Sequence, residues 1–445
     1  MRSASVRRLA LSLLLSQEED DRYLNLMLSA PAVLRLAPDD RHFLTALLYG
    51  TVERRLTLDY FIGKFSDRRA ADLSPHTRMA LRLGLYQLLF MQGVPAYAAI
   101  NETVALGTSR GEKSLLNAVL RRAQKDGAPA LPPREKSPAR YLSLAYSFPV
   151  PLVRAFLAQY GEEMTEDILR AYNLPPALTL RVHTARISRE AFLDRLRDAG
   201  YAARPTPFSP HGVRLDASAD PTALPGFAEG DFFVQDEASQ IAVAALDAHD
   251  AALTVDTCAC PGGKTFGAAM DAAGQGRVIA MDLHESKLPL VREGAARLGL
   301  DNVEARVHNG EEPLPELIGR ADRVLCDAPC SGWGVLGKKP DMRYRAATRS
   351  DLPALQGKLL SAASAYVRPG GLLVYATCTL NEAENGGVCS EFQKNHPEFV
   401  PSDFRCGGIR SYGGRLHLLP PIHHTDGFFI ARFRRSSTYI KGRIP

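Results

Sequence analysis

The sequence predicts a multidomain chain: an all-α N-terminal bundle, a small α+β middle module and a C-terminal α/β domain with a parallel, doubly wound sheet. Three observations lead to this prediction. Apolar residues recur at every third or fourth position up to about residue 126. A proline-rich stretch follows, and from about residue 236 apolar strands alternate with helical stretches. The 445 residues are enough for more than one buried core.

The first segment, residues 1–128, is expected to be all-helical, with Asp39 or Asp40, Ser74 and Asn101 as helix starts. Residues 1–150 carry a net charge of +7, which is compatible with a polyanionic partner. Clustered arginines either converge on one face and meet phosphates, or they are simply solvated. These arginines are Arg54, Arg55, Arg68, Arg69, Arg78, Arg82, Arg121 and Arg122.

Residues 129–139 are predicted to be an extended linker, because proline interrupts helices. The middle module, residues 140–235, shows mixed periodicity typical of a small α+β fold. Helices are predicted at 153–160, 163–171 and 190–199, and strands at 178–182, 212–215 and 232–234.

Residues 236–445 alternate between continuous apolar strands and helices, which favours a parallel sheet with helices on both faces. The predicted strands are 253–259, 277–283, 303–307, 322–327 and 371–377. The predicted helices between them are 266–273, 287–298 and 352–367.

Composition and cysteine usage narrow the class of protein. Hydrophobic residues make up 45 % and charged residues 23 % of the chain, which excludes wholesale disorder and fibrous or disulfide-scaffold chains. No run of about 18 apolar residues occurs, so no membrane partner is expected. The seven cysteines lack zinc-ribbon spacing and a disulfide pattern, so no metal is expected. We expect a monomer in the reducing cytoplasm.

The tract 256–265 follows a predicted strand and opens a helix, where α/β sheets bind nucleotide-like ligands. Pro261, Gly262 and Gly263 remove side-chain bulk, although the spacing matches neither a dinucleotide fingerprint nor a phosphate loop. Asp282 ends the next strand, where a carboxylate accepts ribose hydroxyls or, alternatively, caps a helix. Together these features predict an adenosine-type cofactor without a pyrophosphate.

Two further motifs end the fourth and fifth strands, and each contains a cysteine, Cys330 or Cys378. Because parallel strands end at one edge, the two thiols should approach each other. Asn381 and Glu384 have capping-box spacing, which predicts a helix start just after Cys378. A helix N-terminus lowers a thiol pKa and favours Cys378 as a nucleophile, whereas either cysteine alone is more typical of a buried apolar residue.

These motifs resemble those of the RNA cytosine-5 methyltransferases of the RsmB/Sun (NSUN) superfamily. The resemblance is carried by tracts 234–240, 256–265, 327–332, 335–336, 339–341, 377–379, 384–385 and 426–429. Tracts 84–89, 98–104 and 116–122 resemble a NusB-type RNA-binding helical domain. The combined layout resembles the bacterial branch that methylates small-subunit (16S) ribosomal RNA, and it spans essentially the whole chain.

The resemblance implies a Rossmann-like catalytic domain that uses S-adenosylmethionine as its cofactor. It assigns cofactor binding to Cys258, Ala259, Cys260, Pro261, Gly262, Gly263, Lys264, Asp282, Asn309 and Asp327. Two positions depart from the family pattern. Cys260 stands where the family usually has Ala, and Asn309 stands near the position of an adenine-binding Asp.

The resemblance also implies covalent catalysis, in which Cys378 attacks C6 of cytosine, Asp327 hydrogen-bonds the base and Cys330 assists release. The target base must be unstacked, and the substrate is expected to be free 16S RNA or an early assembly particle. Basic residues after the second motif are expected to face the RNA backbone: Lys338, Lys339, Arg343 and Arg345. The alternatives are a transfer RNA cytosine-5 methyltransferase and a non-catalytic RNA-binding protein.

Overall fold

The computed structural model describes residues 3–20, 22–217, 219–273, 275–345 and 350–437. The chain divides into two compact units. The helical unit contains residues 1–174 together with 336–347, and the α/β unit contains residues 175–335 together with 348–445. The four segment boundaries predicted from the sequence stay predictions.

The helical unit contains ten α-helices within its described residues. They are α1 (Ser3–Asp20), α2 (Leu24–Leu28), α3 (Pro31–Leu34), α4 (Pro38–Glu53), α5 (Arg55–Ser66), α6 (Pro75–Leu89), α7 (Ala96–Val104), α8 (Arg110–Asp126), α9 (Pro138–Tyr146) and α10 (Val150–Tyr172). The predicted start of α6 is confirmed, because Ser74 caps this helix by accepting a hydrogen bond from the Thr77 N–H. The start predicted at Asn101 is wrong, since that residue lies inside α7.

Helix α10 is bent at Gly161, whose φ of 76° is in the left-handed region. This break explains why the sequence pattern shows two helices there. No single helix of the described chain has the length and apolar composition of a membrane span, although α9 and α10 meet both criteria together as a pair bent by 117°.

A buried ion-pair network ties α1, α5 and α6 together. The Arg82 guanidinium, 3 % exposed, donates to both Asp59 carboxylate oxygens at 2.7 and 2.8 Å and to Glu18 at 3.0 Å. Glu18 also pairs with Arg78 at 3.1 Å and Arg55 at 3.2 Å. Burial opposes ionisation of Glu18, but the arginines outweigh it and lower the pKa of this carboxyl. These three arginines are therefore structural, neither directed at phosphates nor simply solvated.

The segment 336–345 belongs to the helical unit and places Arg343 in its interior. The guanidinium donates to three backbone carbonyls, those of Leu336 at 3.2 Å, Glu53 at 3.3 Å and Tyr172 at 3.0 Å. It also lies 4.0 Å from the ring centroid of Phe148. Burial lowers the pKa of Arg343 to about 10. The expectation that Arg343 faces an RNA backbone is wrong, because its donors are used inside the protein.

The other members of this basic segment differ in their surroundings. The Arg345 guanidinium lies 4.1 Å from the ring centroid of Tyr23, so it also packs within the helical unit. Lys339 is exposed, and its contact with RNA stays a prediction. Between them, the 3-10 helix Pro340–Tyr344 is held by the Tyr344 hydroxyl, which donates to the Val52 carbonyl at 2.8 Å.

The α/β unit begins with a four-stranded antiparallel sheet covered by one helix. Its elements are β1 (Leu178–Val182), α11 (Arg189–Asp198), β2 (Ala203–Pro205), β3 (Gly212–Leu215) and β4 (Phe232–Val234), with strand order β2-β3-β1-β4. The strands predicted at 178–182, 212–215 and 232–234 are confirmed. Phe192 and Leu196 of α11 pack onto Phe232 to close this small core.

The remaining elements form a larger, mixed sheet with helices on its faces. They are α12 (Glu237–Leu246), β5 (Leu253–Asp256), α13 (Gly263–Asp271), β6 (Arg277–Asp282), α14 (Leu288–Leu298), β7 (Val303–Val307), β8 (Ala321–Asp327), α15 (Leu352–Tyr366), β9 (Val367–Thr377), α16 (Gly386–Asn395), β10 (Phe399–Pro401), β11 (Arg405–Cys406), β12 (Ile409–Arg410), β13 (Arg415–Leu418), α17 (Pro420–His423) and β14 (Phe428–Arg435). β11 and β12 form a separate ribbon.

In the described residues the larger sheet has eight strands in the order β10-β14-β9-β8-β5-β6-β7, with β13 also pairing to β14. The five strands β7, β6, β5, β8 and β9 run parallel, which confirms the predicted doubly wound core. β14 pairs antiparallel to β9, so the sheet is mixed rather than wholly parallel. This parallel core directs five strand ends to one edge of the sheet.

Replacement of Arg82 by Gln should destabilise the helical unit by roughly 3–5 kcal/mol, because Asp59 and Glu18 lose their buried partner. Hydrogen exchange of α1, α5 and α6 amides, measured by mass spectrometry, should accelerate. Arg69→Gln is the matched control, since Arg69 is 84 % exposed and pairs with Asp72 on the surface. In this control, hydrogen exchange of the α1, α5 and α6 amides should not change. Unchanged protection in Arg82→Gln would contradict the structural role of this network.

Candidate active site

Five predicted site residues lie in order along the carboxyl edge of the parallel core. Asn309 follows β7, Asp282 ends β6, Cys258 follows β5, Asp327 ends β8 and Cys378 follows β9. The three strands β7, β6 and β5 carry the predicted cofactor residues, and β8 and β9 carry the predicted catalytic residues. The edge therefore has a cofactor half and a catalytic half.

The loop after β5 is held in place by hydrogen bonds to a buried carboxylate at the end of that strand. Asp256, 1 % exposed, accepts hydrogen bonds from the Cys258 N–H at 3.3 Å and the Thr265 hydroxyl at 2.7 Å. Burial raises the pKa of Asp256 to about 6. Gly262 in this loop has a φ of 111°, and a Cβ there would lie 2.5 Å from the Phe266 ring. Both constraints require glycine at this position.

The loop and the end of β6 are in direct contact. The Asp282 carboxylate accepts from the Cys260 N–H at 3.3 Å and from the His284 N–H at 3.0 Å. Burial, together with the Asp282 charge, raises the pKa of the Cys260 thiol to about 12. The Asn309 amide oxygen accepts from the Glu311 N–H at 3.2 Å. The helix-capping alternative for Asp282 is not observed, because His284 occupies the N-cap position of the next 3-10 helix.

Gln235 is a candidate binding residue that the sequence reasoning did not single out. Its side chain is 5 % exposed, and neither its amide nitrogen nor its amide oxygen has a partner in the described structure. A Cβ on Gly263, at the start of α13, would lie 3.6 Å from the Gln235 Nε2. Unpaired buried amides are costly, and a polar ligand group above the glycines would satisfy this one. The loop therefore fits the polar end of a nucleoside-type cofactor.

A short ion pair connects the two halves of the edge. Lys264 Nζ lies 2.6 Å from Asp327 Oδ2, with side chains only 12 % and 27 % exposed. Burial alone lowers the pKa of Lys264, but the Asp327 carboxylate and the Cys378 sulfur reverse the effect and raise it. The ammonium also lies 5.1 Å from the ring centroid of Phe428. Lys264 therefore belongs to both the cofactor loop and the catalytic half.

The predicted approach of the two thiols is confirmed, with Cys330 Sγ and Cys378 Sγ 3.3 Å apart and both half-buried. A hydrogen bond from the Cys330 thiol lowers the pKa of Cys378, against the opposing effects of burial and Asp327. The same bond, together with burial, raises the pKa of Cys330. Cys378 is thus the more acidic thiol of the pair, as expected for a nucleophile.

The cause of this low pKa differs from the sequence prediction. Asn381 and Glu384 do interact as a capping pair, but the element that they cap is only the short 3-10 helix Glu382–Glu384. α16 begins later, at Gly386. The neighbouring thiol, rather than a helix N-terminus, is therefore the group that stabilises the Cys378 thiolate.

Backbone contacts fix the two cysteine loops against each other. The Gly334 N–H donates to the Cys378 carbonyl at 2.9 Å, and the Gly427 N–H donates to the Gly334 carbonyl at 2.9 Å. A Cβ on Gly334 would lie 1.7 Å from the Gly427 oxygen, so this approach requires glycine. The hydroxyls of Ser331 and Thr379 are 2.7 Å apart. These contacts keep the sulfur atoms of Cys330 and Cys378 at their observed distance.

Glu384 and Gln356 also hold the Cys330 loop. Glu384 is 1 % exposed and accepts from the Ser331 N–H at 2.9 Å and the Gln356 Nε2 at 2.9 Å. The sequence analysis identified Glu384 only as a capping residue in a family tract, and no sequence signal pointed to Gln356, which lies inside α15.

The arrangement provides a thiol of lowered pKa, a second thiol of raised pKa, and a carboxylate–ammonium pair beside them. Such a set is suited to nucleophilic addition followed by proton transfer. Within the described residues, no group of three or more His, Cys, Asp or Glu side chains is arranged to hold a metal ion.

Three family profiles match the chain. The profile of the 16S rRNA methyltransferase RsmB/F matches residues 243–434. The NusB family profile matches residues 4–125, and the ferredoxin-like domain of RsmF/B-like methyltransferases matches residues 148–221.

Relatives along the whole chain are also found. The chain is 35 % identical to the probable ribosomal RNA small subunit methyltransferase B of Bacillus subtilis (strain 168), covering 98 % of this chain and 100 % of that one. It is 36 % identical to the protein of the same description from Synechocystis sp. (strain ATCC 27184 / PCC 6803 / Kazusa), covering 97 % and 100 %. Among solved structures, PH0851 is 25 % identical with a TM-score of 0.79, covering 98 % and 99 %. A methyltransferase homolog from Pyrococcus horikoshii is 27 % identical with a TM-score of 0.59, covering 67 % and 99 %.

The thiol chemistry of this site predicts selective alkylation. Iodoacetamide reacts with thiolates, so Cys378 should be labelled at lower pH than Cys260, whose pKa is about 12. Labelling of each cysteine as a function of pH, followed by peptide mass spectrometry, measures this order. Labelling of Cys260 before Cys378 would contradict the assignment of the thiolate.

Proposed function

Because this chain belongs to the 16S rRNA methyltransferase RsmB/F family, we propose that it methylates C5 of a specific cytosine in 16S ribosomal RNA through a covalent bond from Cys378 to C6. The cofactor of this family is S-adenosylmethionine, which supplies an electrophilic methyl group when bound. The observation that carries the proposal is the pair of thiols, Cys330 and Cys378, 3.3 Å apart at the ends of adjacent strands.

A thiolate is required because C5 of cytosine is too weak a nucleophile to take a methyl group unaided. Addition of the Cys378 sulfur to C6 breaks the C5–C6 double bond and makes C5 electron-rich, as in an enamine. The lowered pKa of Cys378 supports this role, since a more acidic thiol forms the nucleophilic thiolate more readily.

Asp327 is proposed to accept a hydrogen bond from the exocyclic amine of the base and, once addition at C6 has made N3 basic enough to take a proton from water, to accept a second from the N3–H, which stabilises the adduct. Its position at the end of β8, beside the strand that leads to Cys378, supports this role. The Lys264 ammonium, 2.6 Å away, offsets the negative charges of Asp327 and of the thiolate.

After methyl transfer, the C5 proton must leave and the bond from sulfur to C6 must break. Cys330 is proposed to take that proton. In the free enzyme the hydrogen bond with Cys378 raises the pKa of Cys330. Once Cys378 is a thioether, this contribution is weakened, so Cys330 can lose its proton to water and act as the base.

The cofactor is proposed to bind along the other half of the edge. The proposed residues are Cys258, Ala259, Cys260, Pro261, Gly262, Gly263, Lys264, Asp282, Asn309 and Asp327. The hydrogen bond from the Cys260 N–H to Asp282 supports a single site formed by the loop and this carboxylate.

The proposed substrate is an unstacked cytosine, because C6 is inaccessible inside a stacked helix. The NusB match at residues 4–125 supports an RNA substrate larger than the target base alone. Bisulfite sequencing of 16S ribosomal RNA from a deletion strain should lose one 5-methylcytosine. Loss of that signal only from transfer RNA would overturn the proposed substrate.

Replacement of each thiol should separate attack from release. Cys378→Ala should abolish methylation and form no covalent RNA complex, since no bond to C6 is made. Cys330→Ala should accumulate a denaturant-stable complex through Cys378 in the presence of substrate RNA and S-adenosylmethionine. A reduced denaturing gel and mass spectrometry of the cross-linked peptide measure both. A complex in Cys378→Ala and none in Cys330→Ala would reverse the assignment.

Asp282→Ala should weaken S-adenosylmethionine binding by roughly 1.5–3 kcal/mol, the loss expected for hydrogen bonds to a charged group. Isothermal titration calorimetry measures the change directly. Asp301→Ala is a matched control, because Asp301 is exposed just before β7 and should leave the affinity unchanged. Wild-type affinity in Asp282→Ala would refute the placement of the cofactor on β6.

A further inference from the structure

Gln235 is a buried amide beside the cofactor loop that the proposed mechanism does not use. Its backbone is fixed on both sides, because its N–H donates to the Thr179 carbonyl at 3.0 Å and its carbonyl accepts from Gln240 Nε2 at 3.0 Å. The side chain, in contrast, is 5 % exposed and has no hydrogen-bond partner at its nitrogen or its oxygen within the described residues. Buried polar groups without a partner are rare and costly, so this amide requires an explanation.

Gln240 shows how a structural amide is bonded in the same region. It is 1 % exposed; its Nε2 donates to the carbonyls of Leu180 at 3.1 Å and Gln235 at 3.0 Å, and its Oε1 accepts from the Ser209 hydroxyl at 2.6 Å. The side chain of Gln235 contributes no such bond to the free protein. Its amide is covered by neighbouring atoms, but no hydrogen bond has to break when rotation about its side-chain torsions turns it toward a ligand.

The Gln235 amide lies at the beginning of α13. A Cβ on Gly263, the first residue of this helix, would lie 3.6 Å from Gln235 Nε2. The N-cap residue is Gly262, and no side-chain hydrogen bond caps the helix there. The N–H groups of a first helical turn and the helix dipole favour a negatively charged group. The donor on Gln235 and the uncapped turn therefore favour the same ligand group, a carboxylate, and the free amide oxygen is suited to accept from an ammonium.

The position of α13 along the sheet edge indicates which part of the cofactor meets Gln235. The sulfonium of S-adenosylmethionine carries a methyl group, an adenosyl group and an aminocarboxypropyl arm. The methyl group has to face the base near Cys378, and the adenosyl group is proposed to lie toward Asp282 on β6 and Asn309 after β7. The arm must leave in a third direction, and α13 begins after β5, between β8 and β6. The arm ends in a carboxylate and an ammonium, which match the donor and the acceptor of one amide.

We propose that Gln235 binds the amino-acid end of the cofactor, with Nε2 donating to its carboxylate and Oε1 accepting from its ammonium. Gln235 thereby selects ligands that carry the aminocarboxypropyl arm. This inference rests on the proposed function for the position of the adenosyl group, but it concerns binding in the absence of RNA.

The test compares two ligands by isothermal titration calorimetry of the full-length enzyme. S-adenosylhomocysteine carries the arm, whereas 5′-methylthioadenosine has the same adenosine and sulfur with a methyl group in place of the arm. In Gln235→Leu, the affinity for S-adenosylhomocysteine should fall by about 10- to 100-fold, the loss expected for hydrogen bonds to charged groups, and the affinity for 5′-methylthioadenosine should not change. The melting temperature of the ligand-free variant should not fall, because no hydrogen bond is lost.

Gln240→Leu is the matched control, since it removes a buried amide of the same size together with its hydrogen bonds. Its melting temperature should fall, while the ratio of the two affinities should stay at the wild-type value. Should Gln235→Leu fail to fold, Gln235→Glu replaces it, because this variant keeps the shape of the side chain and sets a carboxylate against that of the ligand. The same selective loss of S-adenosylhomocysteine affinity is expected.

Unchanged affinity for S-adenosylhomocysteine in a folded Gln235 variant would overturn the proposal. An equal loss for both ligands would also overturn it, because it would show a disturbed loop rather than a lost contact with the arm. Equal binding of the two ligands by the wild-type enzyme would overturn the inference and leave the proposed methylation intact. Conversely, the selective loss in an enzyme that leaves cytosine unmodified would refute the proposed function and retain the inference.

Discussion

The ion pair between Lys264 and Asp327 is the interaction on which the candidate site depends, because it connects the first turn of α13, beside the cofactor loop, with the end of β8, beside the catalytic loop. Lys264 opens the helix that follows the glycine loop, whereas Asp327 precedes the loop that carries Cys330. In a largely buried site, either charge alone would be costly. The pair therefore couples the geometry of the cofactor half to that of the catalytic half. A displacement of Lys264 would change the position of Asp327, and the reverse.

The same pair makes a second negative group acceptable. A thiolate on Cys378 lies near the carboxylate of Asp327, and the Lys264 ammonium offsets both charges. The neighbouring Cys330 thiol supplies a hydrogen bond to the thiolate, so its charge is stabilised from two directions. Nucleophilicity at this edge is thus a property of four side chains together, which no single motif encodes.

The sequence predicted the parallel core well, because strand and helix periods are local: strand Val303–Val307 was located to the residue. It also predicted the meeting of the two thiols, since parallel strands end at one edge. The antiparallel strand Phe428–Arg435 was missed, because the direction of a returning strand is set by the path of the chain. Arg343 was misplaced, since its acceptor on Glu53 lies 290 residues away. Glu384 gave only a capping signal for the same reason: its partner Ser331 is 53 residues distant.

The segment 336–345 has a consequence for how this protein is made and inherited. In the chain it interrupts the α/β unit, yet its Arg343 completes the interior of the helical unit. During synthesis the carbonyl of Tyr172 acquires its partner only after 171 further residues have been translated. No single cut separates two complete units: a fragment that ends at Leu174 lacks Arg343, and a fragment that begins at Pro175 contains Arg343 without its acceptors on Glu53 and Tyr172. A gene fragment that encodes only one of the two units would therefore be incomplete, although each unit has a core of its own.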